Sequence, residues 1–113
     1  MVARVPIASL AEGELLRIKY PPFDVIVTLV DGVPYAIEDA CNHAGASLAE
    51  GFLRGGDRIV CPMHGYVFSM KSGELLAPRG LCDRQRTFEA KIEGDEVVIH
   101  DAFEMALITS LAK

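Results

Sequence analysis

The sequence predicts an all-β fold, an antiparallel sandwich or barrel-like domain, on two observations. Short runs rich in β-branched and other apolar residues recur along the chain, at residues 2–7, 14–20, 24–30, 33–37, 58–61, 66–70, 87–92 and 96–100. Turn signals punctuate them: Asp31-Gly32, Lys71-Ser72-Gly73 and Gly94-Asp95. Many short strands separated by such turns are the pattern of an all-β domain.

The elements follow in chain order. Residues 2–7 form a short β-rich opening. Residues 14–20 alternate in part between apolar and polar and stop at Pro21-Pro22. Residues 24–30 are strongly β-branched, and Asp31-Gly32 follows at once, so residues 33–37 read as the returning arm of a hairpin. Residues 58–61 and 66–70 flank a short loop, and residues 87–92 and 96–100 flank Gly94-Asp95. The tail differs. Asp101 and Glu104 suit a helix start, and Phe103, Leu107 and Leu111 share one helical face. That helix either packs on the β core or makes a subunit contact, since Met105 and Ile108 widen its apolar surface. With no repeat and no linker, residues 1–113 read as one domain.

The composition bounds the function. The chain has 113 residues, half of them hydrophobic and 24% charged, with a net charge of −5. This suits one soluble domain with a modest core. The acidic balance, with no basic run, argues against a nucleic-acid surface. It suits attraction to a basic partner, although the sequence does not locate an acidic patch. The apolar run at residues 25–30 is strand-sized and far short of a membrane span. The N-terminal stretch lacks the apolar region of a signal peptide, so the expected location is the cytoplasm. Three cysteines cannot all pair within one chain, and in a reducing compartment clustered cysteine and histidine more often mean metal than disulfide.

Two stretches carry the chemistry: "CNHAGA" at residues 41–46 and "CPMHGY" at residues 61–66. Each opens with cysteine, reaches histidine two or three positions later and has glycine close behind. Both fall where strands give way to loops. Two facing loops would then offer Cys41, His43, Cys61 and His64, two sulfurs and two nitrogens, in the spacing C-x-H, seventeen residues, C-x-x-H. Either pair alone is weak, because buried cysteine is a small hydrophobe and a lone histidine is often surface. Structural zinc also accepts two sulfurs and two nitrogens, but usually pairs cysteine with cysteine and histidine with histidine. Three cysteines are too few for an all-cysteine iron–sulfur cluster. Cys82 and His100 have no partner motif and read as a buried or uncommitted thiol and a surface imidazole.

This pattern resembles the Rieske family, from about residue 2 to about residue 99 and most strongly from residue 41 to 78. The resemblance implies a [2Fe–2S] cluster with one iron held by Cys41 and Cys61 and the other by His43 and His64. It implies an antiparallel β fold with a cluster-binding subdomain at about residues 40–80. Gly45 and Gly65 would let backbone amides approach the sulfides, and Pro78 in "LLAPRG" matches the family's third, covering loop. Ala44, Pro62, Met63 and Pro78 would form an apolar collar around the histidine-bound iron.

The family spans anchored respiratory subunits, large oxygenases and small ferredoxins. The N-terminal stretch leads to the expectation of no membrane anchor, and His100 is the only histidine left for a mononuclear iron site, which needs two. No G-x-G-x-x-G fingerprint for a nicotinamide or flavin cofactor occurs. The resemblance therefore implies a non-enzymatic one-electron carrier, a Rieske-type ferredoxin. It would take electrons from a flavin-containing reductase and pass them to a terminal oxygenase of the ring-hydroxylating dioxygenase kind. The alternative is a non-catalytic subunit fixed in a complex such as a nitrite reductase. High-potential members add cysteines at the positions of Ala46 and Met63, and place serine and tyrosine where this chain has Tyr66 and Phe68. Their absence implies a low potential.

Overall fold

A computed structural model describes residues 2–21, 24–41, 46–63, 65–78, 80 and 84–101. Among the described residues, ten strands make two sheets. The larger holds β1 (Ala3–Pro6), β2 (Leu16–Ile18), β3 (Val25–Val30), β4 (Val33–Glu38), β9 (Thr87–Glu93) and β10 (Glu96–His100), in the order β1-β10-β9-β4-β3-β2. The smaller holds β5 (Phe52–Arg54), β6 (Arg58–Val60), β7 (Val67–Ser69) and β8 (Leu75–Ala77) in sequence order. Each of these strand pairs is antiparallel, as expected.

The β3–β4 hairpin shows why the larger sheet has its register. Asp31 and Gly32 have φ of 52° and 78°. Both are left-handed, as a type I′ turn requires, and Asp-Gly tolerates this best. The Glu12 carboxylate accepts the N–H groups of Asp31 (3.1 Å) and Gly32 (2.5 Å), holding the turn from outside. The six-residue ladder from Val25↔Glu38 to Val30↔Val33 follows from it.

All six residues of β3 are buried, so it is covered on both faces and reads as an almost unbroken apolar run. Val25, Val27 and Leu29 enter one core with Leu10, Phe88, Val97 and Ile99. Ile26 turns the other way. With its cross-strand partner Ile37 it joins a second core containing Leu48, Ile59, Phe68, Met70 and Leu75. Each such isoleucine contributes roughly 1.5–3 kcal/mol by leaving water. The one polar side chain of β3, Thr28, donates to the Glu14 carbonyl at 2.6 Å, so no orphan hydroxyl is left inside.

The structure differs from expectation in the short elements. The strand expected over residues 14–20 is ordered as β2 only at Leu16–Ile18. β5 and β8 were not expected at all, β8 having been read as loop. Three residues are too few to show a period of two, and their apolar side chains find partners only across the sheet. The tail beyond residue 101, with its expected helix, lies outside the described residues. Asp101 itself is buried, accepting from the Tyr20 hydroxyl at 3.0 Å and pairing with Arg86. This ties the start of the tail to the larger sheet.

Candidate metal centre

The necks of the two cysteine loops are built alike. β4 ends at Glu38 and leads through Asp39 and Ala40 into Cys41; β6 ends at Val60 and leads directly into Cys61. The Cys41 N–H donates to the Ala46 carbonyl at 2.7 Å, and the Cys61 N–H donates to the Tyr66 carbonyl at 2.7 Å. In each loop the amide of the cysteine thus closes the neck on the carbonyl five residues on. The likeness of the two sequence stretches extends to this neck hydrogen bond. Gly65 lies in the second loop with a φ of 71°. Its N–H donates to the Cys61 carbonyl at 3.0 Å, so that donor is used to close the loop.

Both cysteines are almost fully buried, at 2% and 1% exposure, within one apolar core. That core also holds Ile26 and Ile37 of the larger sheet and Phe68 and Leu75 of the smaller. Two thiols drawn from separate loops into one dry core suit a soft metal centre, for which thiolate is the preferred ligand. His43 and His64 lie outside the described residues, as do Ala44, Gly45 and Cys82. The described residues therefore contain only the cysteine half of the expected set, and among them no group of three or more His, Cys, Asp or Glu side chains could hold a metal ion. Pro62, Met63 and Pro78 are exposed, and Met63, at 61%, is a large apolar side chain presented to solvent beside Cys61. His100, half-buried at the end of β10, is on the larger sheet.

Asp39 fixes the first loop to the larger sheet. Its carboxylate is buried, accepting from the Ser47 hydroxyl at 2.8 Å and the Ala49 N–H at 2.9 Å, and it stands 3.4 Å from the Arg17 guanidinium. Arg17 in turn donates to Asp24 at 3.0 Å. The Asp39 backbone works as well: its N–H donates to Asp24 and its carbonyl accepts from Leu48, both at 2.8 Å. A buried carboxylate is tolerable when its oxygens are supplied with donors and a cation in this way.

Gln85 does the equivalent work from the far side. It is 1% exposed, and its side-chain amide donates to the carbonyls of Glu38 (2.9 Å) and Ala40 (2.8 Å), the two residues that flank Asp39 on the approach to Cys41. Its own N–H donates to the Gly73 carbonyl at 2.6 Å. The approach is so close that a Cβ at Gly73 would collide with the Gln85 carbonyl, which is why glycine stands in the β7–β8 turn. Glu38 is drawn into the same seam: burial pushes its carboxyl pKa up, against the opposing attraction of Arg86.

Neither Asp39 nor Gln85 was singled out from sequence. Nothing local marks them, since their roles depend on partners from other parts of the chain. Replacing Gln85 by Leu leaves two buried carbonyls without a donor and should cost about 2–3 kcal/mol. Chemical denaturation should show this loss. Gln85→Glu, which keeps the shape but cannot donate twice, should lose at least as much at neutral pH.

Residues 2–89 match the family model described as Rieske [2Fe-2S] domain. The 3-phenylpropionate/cinnamic acid dioxygenase ferredoxin subunit of Escherichia coli K12 is 36% identical over 94 residues, covering 83% of this chain and 87% of that protein. A chain in the complex of reduced oxygenase and oxidised ferredoxin of carbazole 1,9a-dioxygenase superposes with a TM-score of 0.77 at 31% identity, covering 86% of this chain and 99% of that one. The ferredoxin of Sphingomonas yanoikuyae B1 gives a TM-score of 0.75 at 28% identity, covering 84% of this chain and 92% of that one. A small-subunit protein described as a nitrite reductase shares the fold alone, at 18% identity and a TM-score of 0.70 over 86% of this chain and 97% of that one. The family match and the curated relative agree: the chain belongs to the Rieske [2Fe–2S] domain family.

Proposed function

We propose that the chain is a Rieske-type ferredoxin, a one-electron carrier that receives electrons from a flavin-containing reductase and delivers them to a terminal oxygenase. The observation that carries this reading is the burial of Cys41 and Cys61, from two loops with like-built necks, in one core. The relatives named as dioxygenase ferredoxin subunits support the same reading. Cys41 and Cys61 would hold one iron, and His43 and His64 the other. When bound, a [2Fe–2S] cluster with two imidazole ligands takes up and returns one electron at a higher potential than an all-cysteine cluster does. The remaining work belongs to the protein. The apolar core excludes water from the cysteine side, Asp39 and Gln85 hold the approach to Cys41, and Met63 and Pro62 offer an exposed apolar rim for transient contact.

On this reading residues 1–113 are one Rieske domain, with the cluster-binding subdomain at about residues 40–80 formed around β5–β8. No helix among the described residues is long and apolar enough to cross a membrane. Location in the cytoplasm suits both that and the use of cysteine as ligand.

Ligation is tested by substitution. Cys41→Ser, Cys61→Ser, His43→Ala and His64→Ala should each abolish the visible absorption of the native cluster, while Cys82→Ser and His100→Ala keep it. Loss of iron in Cys82→Ser with the fold intact would overturn the ligand set.

The potential tests the choice of a ferredoxin. Phe68 is fully buried in the same core as both cysteines and has no hydroxyl to donate to a sulfur. Ala46 and Met63 provide no thiols for a bridge between the loops. Fewer donors toward the sulfurs leave the added electron less stabilised, so the midpoint should lie near −150 mV rather than +300 mV. Phe68→Tyr should raise it. Protein-film voltammetry decides: a value above about +100 mV, within the same family range, contradicts the assignment.

A further inference from the structure

The net charge of −5 hides an uneven distribution. Residues 41–86 hold six of the eleven lysines and arginines but four of the sixteen carboxylates, so the half of the chain that includes the cysteine loops is positive and the remainder strongly negative. Within that half, Arg54 and Arg58 face each other directly across the β5–β6 ladder. Both are exposed. Like charges directly opposed on an antiparallel pair repel. Arg4, Arg17 and Arg86 each sit against a carboxylate. Among the described residues, no ion pair relieves Arg54 or Arg58. Asp57, in the turn between them, forms one with neither.

Beside the two arginines Phe52 and Ala77 are exposed, while Val60 and Val67 between them are buried. Directly paired residues share a face of a sheet. The pairings Phe52↔Val60, Val60↔Val67 and Val67↔Ala77 therefore set an apolar row beside the row containing Arg54 and Arg58. Phe52, at one end of that row, is 57% exposed. An open groove of about 250 Å³ is lined by both arginines, Val67, Leu76 and Ala77. β6 runs from Arg58 into Cys61 and β8 runs into Pro78, so this face adjoins the loops that the carrier reading makes the point of electron exit.

We propose that this outer face of the β5–β8 sheet is a docking surface for an acidic patch on a protein redox partner, with Arg54 and Arg58 as its charged anchors and Phe52 as its apolar contact. The proposal rests on the carrier reading for the nature of the partner. Arginine and aromatic side chains are the residues enriched at protein interfaces. An extended polyanion would be repelled by the rest of the chain, and an open groove without buried donors does not enclose a small anion.

The test uses the holoprotein, reduced, with two probes of opposite surface charge: acidic cytochrome b5 and basic cytochrome c. Each accepts one electron. Stopped-flow rates are measured for the wild type, Arg54→Glu/Arg58→Glu, Arg54→Gln/Arg58→Gln and, as a control of net charge from the larger sheet, Lys19→Glu. At low ionic strength the glutamate pair should slow reduction of cytochrome b5 by about tenfold or more, and the glutamine pair by about threefold. Lys19→Glu should change it less than twofold. The differences should fade at about 0.5 M salt. Reduction of cytochrome c should be unslowed or faster. Unchanged visible absorption in each variant shows that the centre is intact.

Equal rates for the wild type and the glutamate pair would overturn the proposal. So would a Lys19→Glu effect as large as the double substitution. Inhibition by inorganic phosphate beyond that of chloride at equal ionic strength would identify a small-anion site and overturn it too. Electron transfer to a small neutral quinone isolates the carrier reading: if the wild type fails there, that reading falls. Calorimetric titration with cytochrome b5, which needs no electron transfer, would then decide the surface by itself.

Discussion

The structure depends on the buried carboxylate of Asp39. It sits where β4 leaves the larger sheet and turns into the first cysteine loop, and it binds both sides of that junction. Ser47 and Ala49 donate to it from beyond the loop, Arg17 faces it from β2, and its own backbone is bonded to Asp24 and Leu48. A partly satisfied carboxylate at such depth would cost several kcal/mol; a satisfied one fixes one geometry. Gln85 adds the opposing hold through the carbonyls of Glu38 and Ala40. Cys41 therefore leaves the sheet from a position fixed on two sides, whereas Cys61 is fixed by the strand pair β6–β7 itself.

This explains how two sheets share one centre. Ile26 and Ile37 reach from the larger sheet into the core that contains both cysteines, and Ile59, Phe68 and Leu75 reach in from the smaller. The continuous burial of β3 is the result of that arrangement, since its alternate side chains serve two cores. An electron carrier benefits from such stiffness, because a site that moves little between its two charge states needs little reorganisation.

Much of this was legible in the sequence, for physical reasons that differ by element. The β3–β4 hairpin announces itself because an Asp-Gly pair between β-branched runs has few other uses. The cysteine and histidine spacing is legible because few chemistries demand it, and the family match supports the reading it suggested. β5 and β8 were not legible, since three residues carry no period. Neither Asp39 nor Gln85 was legible, because their partners come from other parts of the chain. The carbonyls Gln85 serves are 45 and 47 residues away, and a glutamine between two arginines looks like solvent-facing polar sequence. Averaged over the chain, the net charge of −5 conceals the exposed Arg54 and Arg58, for which no ion pair occurs among the described residues.

The central claim is that two cysteines and two histidines hold the cluster. Electron paramagnetic resonance of the reduced protein, with pulsed detection of nitrogen couplings, tests it most directly. The account predicts a single unpaired electron coupled strongly to two imidazole nitrogens, lost when either His43 or His64 is replaced. A reduced centre without nitrogen coupling, or a silent protein that contains zinc instead of iron, would contradict it.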